Sequence, residues 1–405
     1  MKLPIYMDNA STTRADPRVI EVMLPCFDEV YGNAASRSHP FGWKAEEKAE
    51  EARTHIAGLI NADPKEIVFT SGGTESINLA LKGLCEIYRE KGNHLIVGAT
   101  EYRAVIEVAR RMERGGFRVT YLPVDRYGVA DPEALEKEMT DQTILVAFML
   151  GNHEIGTLHP VAEIGKLAKE KGVFFFCDLA ASQGYIPIDV QAMGIDLAAF
   201  SAHKIYGPKG VGALYVRKKN PRVRLSPLID GGGAERGMRS GTLDVPAIVG
   251  FGKACEIAHQ EMDQERKRLW KLNERLRQGL EASLSHIQLN GHPTQRLPHI
   301  LNMSFLFAEG ESILMGIRDV ALSSGSACTT ATLEPSYILM ALGLDAGRAH
   351  TSIRFSIGRF NTEEEIDFTM KRVTETVSRL RDMSPLYEAA KESIDLKNTR
   401  QNNDK

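Results

Sequence analysis

The sequence has little of what would place it in several large classes of protein. Its five cysteines lie at irregular spacing, and no two of them form a Cys-x-x-Cys pair. This pattern argues against a disulfide framework and against a zinc or dithiol redox site. No run approaches the roughly 18 apolar residues that span a bilayer. The first eight residues lack the apolar stretch of a signal peptide. We therefore expect a soluble protein of the cytoplasm.

An excess of charge of one sign is also lacking, because the 405 residues carry a formal net charge of −3. This balance gives no electrostatic reason to expect binding to nucleic acid or to a membrane surface. Four of the cysteines, Cys26, Cys85, Cys177 and Cys255, are predicted to be buried as small apolar side chains. Cys328 differs, because small polar residues surround it.

Short apolar runs alternate with helix-length segments from about residue 60 to residue 220. The predicted strands are Ile67–Thr70, Leu95–Val97, Val119–Val124, Ile144–Leu150, Val173–Cys177, Leu197–Phe200 and Ala213–Val216. The clearest helices between them are Ser76–Arg89, Arg103–Arg114 and Val161–Lys171. Apolar strands alternating with helices predict an α/β fold with a mostly parallel sheet flanked by helices. Such sheets bind ligands beyond the carboxyl ends of their strands.

The pattern changes after about residue 250. A long charged helix over roughly 251–285 leads into a smaller α+β unit with predicted strands Ile287–Leu289, Ile300–Phe305 and Ser352–Ile357. Thr362 and Glu365 form a capping box before a helix that runs to about Leu380. We predict an N-terminal segment (1–15) that packs with the small domain, a large domain (16–255), a small domain (256–395) and a disordered tail (396–405).

Three motifs fall at the ends of predicted strands. Thr70–Ser76 joins a strand to a helix, where free backbone N–H groups favour an anion such as phosphate, although an ordinary turn has the same form. Asp178 ends an apolar strand, where it needs a cationic partner or serves as a helix cap. Lys204 closes the run Ser201-Ala202-His203-Lys204 and is either functional or a solvated surface residue.

Together these motifs are more specific than any one of them. They supply a phosphate site, a carboxylate able to pair with a protonated pyridine nitrogen, and an amine able to bind an aldehyde. Pyridoxal 5'-phosphate requires this set of groups. We therefore predict that Lys204 holds this cofactor as a Schiff base.

Longer stretches of the chain resemble the cysteine desulfurases of the NifS/IscS family, which have the fold type I of class V aminotransferases. The matching stretches include Tyr6–Ala10, Gly32–Ser36, Phe69–Glu75, Ser201–Pro208, Glu235–Thr242, Ser323–Cys328 and Leu333–Tyr337. The last two are typical of the housekeeping branch that serves iron–sulfur cluster assembly. The resemblance covers about residues 4–395.

The resemblance implies a role for each matching residue. Lys204 matches the Schiff-base lysine and Asp178 the partner of the ring nitrogen. Further cofactor contacts match Gly73, Thr74, Tyr102, His153, Ser201, Ala202, His203 and Thr242. Thr242 matches a residue that reaches across from a second subunit, which implies a homodimer. The substrate L-cysteine is expected to contact Asn33, Asn152 and Arg354, the last through a bidentate fork.

Cys328 matches the nucleophile that takes the sulfur as a persulfide and leaves L-alanine. The resemblance also makes it a transient iron–sulfur ligand shared with a scaffold protein. The scaffold and other acceptors would receive sulfur for cluster assembly and tRNA thiolation. The segment from Ser384 to Asp395 lies where the family docks that scaffold.

Three positions around the cofactor depart from the family pattern. Tyr102, His153 and Ala181 stand where the family has histidine, asparagine and glutamine. Tyrosine does not titrate near neutral pH, because its ordinary pKa is about 10. Either His153 supplies the hydrogen bond that Ala181 lacks, or turnover is slow. Two alternatives therefore stay open: a lyase or transaminase acting on another small amino acid, and a weakly active dimer that serves as a docking platform.

Overall fold

The computed structural model describes residues 2–324 and 334–390. Cys328 and the predicted disordered tail lie outside this range. The strands are β1 Ile5–Tyr6, β2 Ile67–Thr70, β3 His94–Gly98, β4 Arg118–Leu122, β5 Thr143–Met149, β6 Phe174–Asp178, β7 Leu197–Ser201, β8 Gly212–Val216, β9 Ile287–Asn290, β10 Ile300–Phe305, β11 Val320–Ala321, β12 Ser323–Ser324 and β13 Ser352–Ser356.

The helices alternate with these strands in the first part of the chain. They are α1 Pro17–Met23, α2 Pro25–Asp28, α3 Pro40–Leu59, α4 Gly73–Tyr88, α5 Arg103–Arg114, α6 Pro132–Glu138, α7 Val161–Glu170, α8 Val245–Ser283, α9 Gly310–Gly316, α10 Tyr337–Ala341, α11 Ala346–His350 and α12 Glu363–Asp382. Short 3₁₀ turns cover Pro64–Glu66, Ala202–Lys204 and Glu235–Gly237. No helix within the described residues has the length and apolar character needed to cross a membrane.

The main sheet has the strand order β2-β8-β7-β6-β5-β3-β4, and β8 alone runs against its neighbours. Its inner strands are buried throughout because both faces are covered. Along β5, Leu145 and Ala147 pack into the cluster that contains α4 and α5, while Val146 and Phe148 face the cluster that contains α3 and α8. The predicted α/β class and mostly parallel sheet are confirmed.

A second, antiparallel sheet has the order β12-β13-β10-β9. The chain's start joins this part of the molecule, since β1 pairs with β11 through Ile5 opposite Val320. The capping box of Thr362 and Glu365 is confirmed at the start of α12. Cys26, Cys85, Cys177 and Cys255 are buried, as predicted.

The helix predicted over 251–285 begins earlier, at Val245, after the N-cap Asp244. Its first turns are apolar and buried against α1 and α3, so the charged pattern used for the prediction starts only further along the helix. The proposed boundary between residues 255 and 256 falls inside this single helix.

Candidate active site

A cavity opens at the carboxyl edge of the main sheet. Its walls come from the ends of β5, β6 and β7 and from the start of α4. The lining residues are Gly73, Thr74, Ile77, Tyr102, Met149, Gly151, His153, Asp178, Ala180, Ala181, Ser201, His203 and Lys204. Seven residues predicted to contact the cofactor, together with Lys204, therefore meet in one cavity.

Lys204 lies at the end of the 3₁₀ turn that follows β7. Its Nζ donates hydrogen bonds to the backbone carbonyls of Ala10 and Ser11, the latter at 2.9 Å. Gly207 lets the chain pass close to this turn, because a Cβ there would lie 2.8 Å from the Ala202 carbonyl oxygen. Thr13 fixes the turn further, since its hydroxyl donates to the His203 carbonyl at 2.9 Å. The amine is therefore held in place by the N-terminal segment.

Asp178 is the last residue of β6, between Met149 of β5 and Ala199 of β7. One of its carboxylate oxygens accepts a hydrogen bond from the Ala180 N–H at 2.9 Å. Burial raises the pKa of the Asp178 carboxyl to about 6, although the Ala180 amide and the Lys204 charge act to lower it. A cationic ligand atom beside this carboxyl would favour its ionised form.

The predicted anion site lies at the N-terminus of α4. Gly72 precedes the helix at a φ of 152°, and the N–H groups of the first turn have no partner within the helix. A Cβ at Gly212 would lie 2.6 Å from the Cα of Gly72, so only glycine lets these two backbones approach. Gly73 lies beside Ser201, because a Cβ added at Gly73 would be 3.7 Å from the Cβ of Ser201. Backbone donors and hydroxyl groups thus converge on one spot.

Tyr102 and His153 share one wall of the cavity. Their rings meet edge to face, with centroids 5.1 Å apart. Burial first, and then the charges of Arg354 and Lys204, lower the pKa of the His153 imidazole to about 3. His203 has a pKa lowered to about 4, mainly by burial. Both imidazoles are therefore neutral near pH 7.

Arg354 extends from β13 toward this wall. Its Nη1 donates to the backbone carbonyl of His153 at 3.2 Å, and its Nη2 donates to Asp8 and to Ser11. The Nε atom is buried and has no hydrogen-bond partner among the described residues. A buried guanidinium with an unused donor is suited to an incoming carboxylate.

Besides Arg354, four predicted site residues of the described chain do not line the cavity: Asn33, Asn152, Ala202 and Thr242. Asn33 and Thr242 are exposed and do not line the cavity. Asn152 is buried, and its side chain bonds to the Thr100 carbonyl and to the N–H groups of the two residues Glu154 and Ile155.

Ala202 is buried beneath the turn that holds Lys204, and its carbonyl accepts from the N–H of Ile205. Cys328, the predicted nucleophile and transient metal ligand, lies outside the described residues. Within residues 2–324 and 334–390, no group of three or more histidine, cysteine, aspartate or glutamate side chains is arranged to hold a metal ion.

Sequence reasoning missed Asp8, Ala10 and Ser11. Asp8 and Ala10 belong to the stretch Tyr6–Ala10 that resembles the family, and Ser11 follows it, but nothing local to these residues indicates contact with Lys204 or Arg354. Gln183 does not line the cavity; it is buried and donates to the Ser201 carbonyl. Ala181 does line it, as the sequence comparison with the family predicted.

The sequence is similar to known proteins along nearly its whole length. The family model for Aminotransferase class-V matches residues 5–368. A curated protein named cysteine desulfurase IscS, from Anaeromyxobacter dehalogenans, is 56% identical over 396 residues, which is 98% of each chain. The chain belongs to the cysteine desulfurase family.

Solved structures of this family have the same fold. A NifS-like protein superposes with a TM-score of 0.86 at 38% identity, covering 93% of this chain and 100% of the other. A structure described as SspA in complex with cysteine gives a TM-score of 0.76 at 33% identity, covering 88% of this chain and 100% of the other. The resemblance stated from the sequence motifs is confirmed.

Members of this family use pyridoxal 5'-phosphate, and the residues of the cavity fit that cofactor. The amine of Lys204 faces the cavity that Asp178 also lines. The N-terminus of α4, with Thr74, Ser201 and His203 nearby, supplies donors for a phosphate group. Asp178, whose pKa is raised by burial, is matched by a cationic ring nitrogen.

Proposed function

We propose that the protein is a pyridoxal-phosphate-dependent cysteine desulfurase that converts L-cysteine to L-alanine and carries the sulfur as a persulfide on Cys328. One observation carries the proposal. Lys204 and Asp178 line a single cavity, and Arg354 bonds to its wall at His153. Asp178 ends β6, Lys204 follows β7 and Arg354 lies in the middle of β13. The chain is 56% identical over 98% of its length to a curated cysteine desulfurase.

Four groups of this chain would hold the cofactor. Lys204 would bind its aldehyde, Asp178 its ring nitrogen, and Thr74 and Ser201 its phosphate, with Tyr102 against the ring. When bound, pyridoxal 5'-phosphate acts as an electron sink for bonds at the α-carbon of an amino acid. The cavity walls around Ile77 and Met149 are apolar and reduce the access of water.

Arg354 would orient the substrate through its α-carboxylate. Arg354 is 4% exposed, and its Nε has no hydrogen-bond acceptor among the described residues. Since desolvation strengthens a charge-assisted hydrogen bond, this buried cation gives a carboxylate a strong and directional site. His153, which is neutral, lines the same cavity, and its Nδ1 has no hydrogen-bond partner among the described residues.

Lys204 is the proton carrier of the site once it is released from the cofactor. The carbonyl oxygens of Ala10 and Ser11 accept hydrogen bonds from its Nζ and so favour the ammonium form. In the sulfur-transfer step, the thiolate of Cys328 attacks the substrate sulfur. The bond between that sulfur and the β-carbon breaks, and the amino acid leaves as L-alanine after protonation.

A homodimer is part of the proposal. Asn33 and Thr242 are exposed in the single chain, although the family pattern assigns them to the substrate and to the cofactor. Large apolar side chains near Asn33 are also exposed: Ile20, Leu24, Phe27, Tyr31, Phe41 and Trp43. A second copy that covers this surface would bury these side chains and supply Thr242 to the partner's cavity.

We also propose that an iron–sulfur scaffold protein and other sulfur acceptors, including those for tRNA thiolation, receive the persulfide. Near the predicted docking segment, Phe307 and Tyr387 form an aromatic pair with centroids 5.6 Å apart, and Met383 and Leu386 are exposed. Cys328 would then be the transient iron–sulfur ligand. The domain bounds 1–15, 16–255, 256–395 and 396–405 and the cytoplasmic location stay predictions from the sequence.

Incubation with L-cysteine and a thiol reductant tests the proposal. We expect equal amounts of sulfide and L-alanine, and an absorbance band near ~400–430 nm from the lysine-bound cofactor. Lys204→Ala should abolish the band and the alanine, whereas Lys209→Ala, an exposed lysine of the following loop, should keep both. Cys328→Ser should keep the band and lose the persulfide. Alanine production by Lys204→Ala equal to that of the unchanged protein would refute the proposal.

The alternative of a lyase or transaminase is less well supported, because the family assignment points to desulfuration. A panel of small amino acids separates the two. Faster turnover with any amino acid that lacks a thiol would favour the alternative.

A further inference from the structure

Asp8 accepts three hydrogen bonds at a single carboxylate oxygen. The donors to its Oδ1 are Arg354 Nη2, Ser11 Oγ and Ser323 Oγ, each at 2.8 Å. Ser11 Oγ also accepts from Arg354 Nη2, at 2.7 Å. Asp8, Ser11 and Arg354 thus form a closed three-membered ring of contacts, with Ser323 as a fourth member on its outside.

This arrangement determines which donors of Arg354 remain for a ligand. Both protons of Nη2 are used, one on Asp8 and one on Ser11. Nη1 donates one hydrogen bond to the His153 carbonyl at 3.2 Å. Among the described residues, Nε–H and the second Nη1 proton have no acceptor. They lie on different edges of the guanidinium, so in this arrangement a carboxylate is bound by one of them and not by the predicted bidentate fork. Rotation of the guanidinium would break its hydrogen bonds to Asp8, Ser11 and the His153 carbonyl. Because the group is buried, leaving these donors without acceptors would cost free energy.

The charges of the site explain why a carboxylate is needed here. Arg354 and Lys204 are both cationic, and their charges add to burial in lowering the pKa of His153 and of His299, each to about 3. Within the part of the chain that the structure describes, Asp8 is the one carboxylate in ion-pair contact with Arg354. A buried guanidinium without such a partner would be strongly destabilised.

Ser11 connects the two cations of the site. Its backbone carbonyl accepts from Lys204 Nζ at 2.9 Å, and its hydroxyl accepts from Arg354 at 2.7 Å. The residue that fixes the direction of the guanidinium therefore also fixes the resting position of the amine. A shift of Ser11 changes the distance between the group that would bind the substrate carboxylate and the group that would bind the cofactor.

We propose that Asp8 and Ser11 are positioning residues that hold the guanidinium of Arg354 in a fixed orientation for the α-carboxylate of the substrate. The inference rests on the proposed function, because it takes Arg354 as the carboxylate site. Neither residue touches the reacting atoms. Both act through Arg354, and this makes the inference open to a double-mutant cycle.

The cycle uses Asp8→Asn, Asp8→Ala, Ser11→Ala and Arg354→Gln, singly and in pairs. In holoenzyme, Asp8→Ala should raise the KM for L-cysteine roughly ten-fold to a hundred-fold, the range for losing a hydrogen bond to a charged group. We expect kcat to change by less than about three-fold, since the chemistry is untouched. Asp8→Asn, which keeps an acceptor oxygen, should recover part of the KM. In the Arg354→Gln protein, Asp8→Asn should change KM by less than about two-fold.

A matched control is Asp319→Asn, which removes a half-buried aspartate from a 2.8 Å ion pair with Arg372 away from the cavity. It should leave KM unchanged. Thermal unfolding and the cofactor absorbance of each variant report the integrity of the fold. An effect of Asp8→Asn on KM that is as large in the Arg354→Gln protein as in the unchanged protein would overturn the inference.

The same cycle is measured a second time as the dissociation constant of S-methyl-L-cysteine by calorimetry. This probe keeps the α-carboxylate of cysteine. It has a thioether in place of the thiol, so it leaves no persulfide on Cys328. Failure of the unchanged protein to release alanine from cysteine would refute the proposed function only. Additive effects on the binding of the probe would refute the role of Asp8 and Ser11, whatever the activity.

Discussion

Tyr102 and His153 meet edge to face in the cavity, with ring centroids 5.1 Å apart and planes at 85°. Both residues depart from the family pattern, and this contact joins the two departures physically. A change at one ring removes a partner of the other, so the two positions are expected to act as a unit. Their substitution in this chain is therefore one alteration of the cofactor pocket and not two independent ones.

The first prediction concerns this pair. We expect Tyr102→His and His153→Asn to have non-additive effects on the dissociation constant of pyridoxal 5'-phosphate. The coupling should be about 1 kcal/mol, the usual range for an aromatic contact. Cofactor titration of the apoprotein followed by absorbance measures it. Tyr127 and His292, whose centroids lie 5.3 Å apart outside the cavity, are the control pair for the same two substitutions. Additive effects at Tyr102 and His153 would contradict the prediction.

The second prediction follows from the low pKa of His153, about 3 in the folded protein, which burial causes first and the nearby cations second. The unfolded chain binds a proton near pH 6.5, so His153 contributes stability that is present above that pH and is lost as the pH falls toward 3. From pH 7 to pH 4, the free energy of unfolding should therefore fall less in the His153→Asn protein than in the unchanged protein. The difference between the two losses should be up to about 3 kcal/mol. Urea unfolding of the apoprotein at both pH values measures the difference. Equal losses for the two proteins would contradict the prediction, because they would show that His153 takes up a proton in the folded protein as readily as in the unfolded chain.

The third prediction concerns Asp178, whose pKa burial raises to about 6. A raised pKa gives stability that is fully present below about pH 4, where the unfolded carboxyl is also protonated, and that is lost as the pH rises through 6. In the apoprotein, Asp178→Asn should therefore increase the free energy of unfolding at pH 8 by roughly 2 to 3 kcal/mol. At pH 4 the two proteins should be alike. The same variant should bind the cofactor more weakly, which separates stability from function at one residue.

The fourth prediction concerns a buried ion pair that supports the segment before Thr242. Arg53 donates to both carboxylate oxygens of Glu235 at 2.8 Å, and both side chains are buried. Glu235→Ala should lower the free energy of unfolding by about 3 kcal/mol, because Arg53 loses its buried partner and keeps only the exposed Glu50 and the Ile67 carbonyl, and the buried Phe69 N–H loses its acceptor. Glu107→Ala breaks an exposed pair with Arg103 and should cost less than about 1 kcal/mol. Chemical denaturation of both variants checks the contrast, and similar losses would contradict it.

Much of the fold was predictable because its signals are local. The continuous apolar runs place β2, β5 and β7 within one residue of their predicted bounds, and Thr362 with Glu365 marks the start of α12. The two-residue strands β1, β11 and β12 were not predicted, since two residues show no periodicity. Their pairing depends on contacts between distant parts of the chain.

The site shows the same division. Lys204, Asp178 and Thr74 were found because each follows or precedes a recognisable strand or helix. The contact between Asp8 and Arg354 joins residues 346 positions apart, and no pattern in one sequence connects them. The exposed positions of Asn33 and Thr242 are likewise a property of the folded single chain.

The pairing of β1 with β11 affects the order in which the protein is assembled during synthesis. Residues Ile5 and Tyr6 are among the first to leave the ribosome, yet their partners Val320 and Ala321 are made only after the whole main sheet. The main sheet, complete by Val216, has all its strands long before this contact exists. Ribosome-bound chains that end before residue 320 would thus have the lysine of the site without the strand that anchors the N-terminal segment. We therefore expect catalytic competence only late in translation, after β1 has paired with β11.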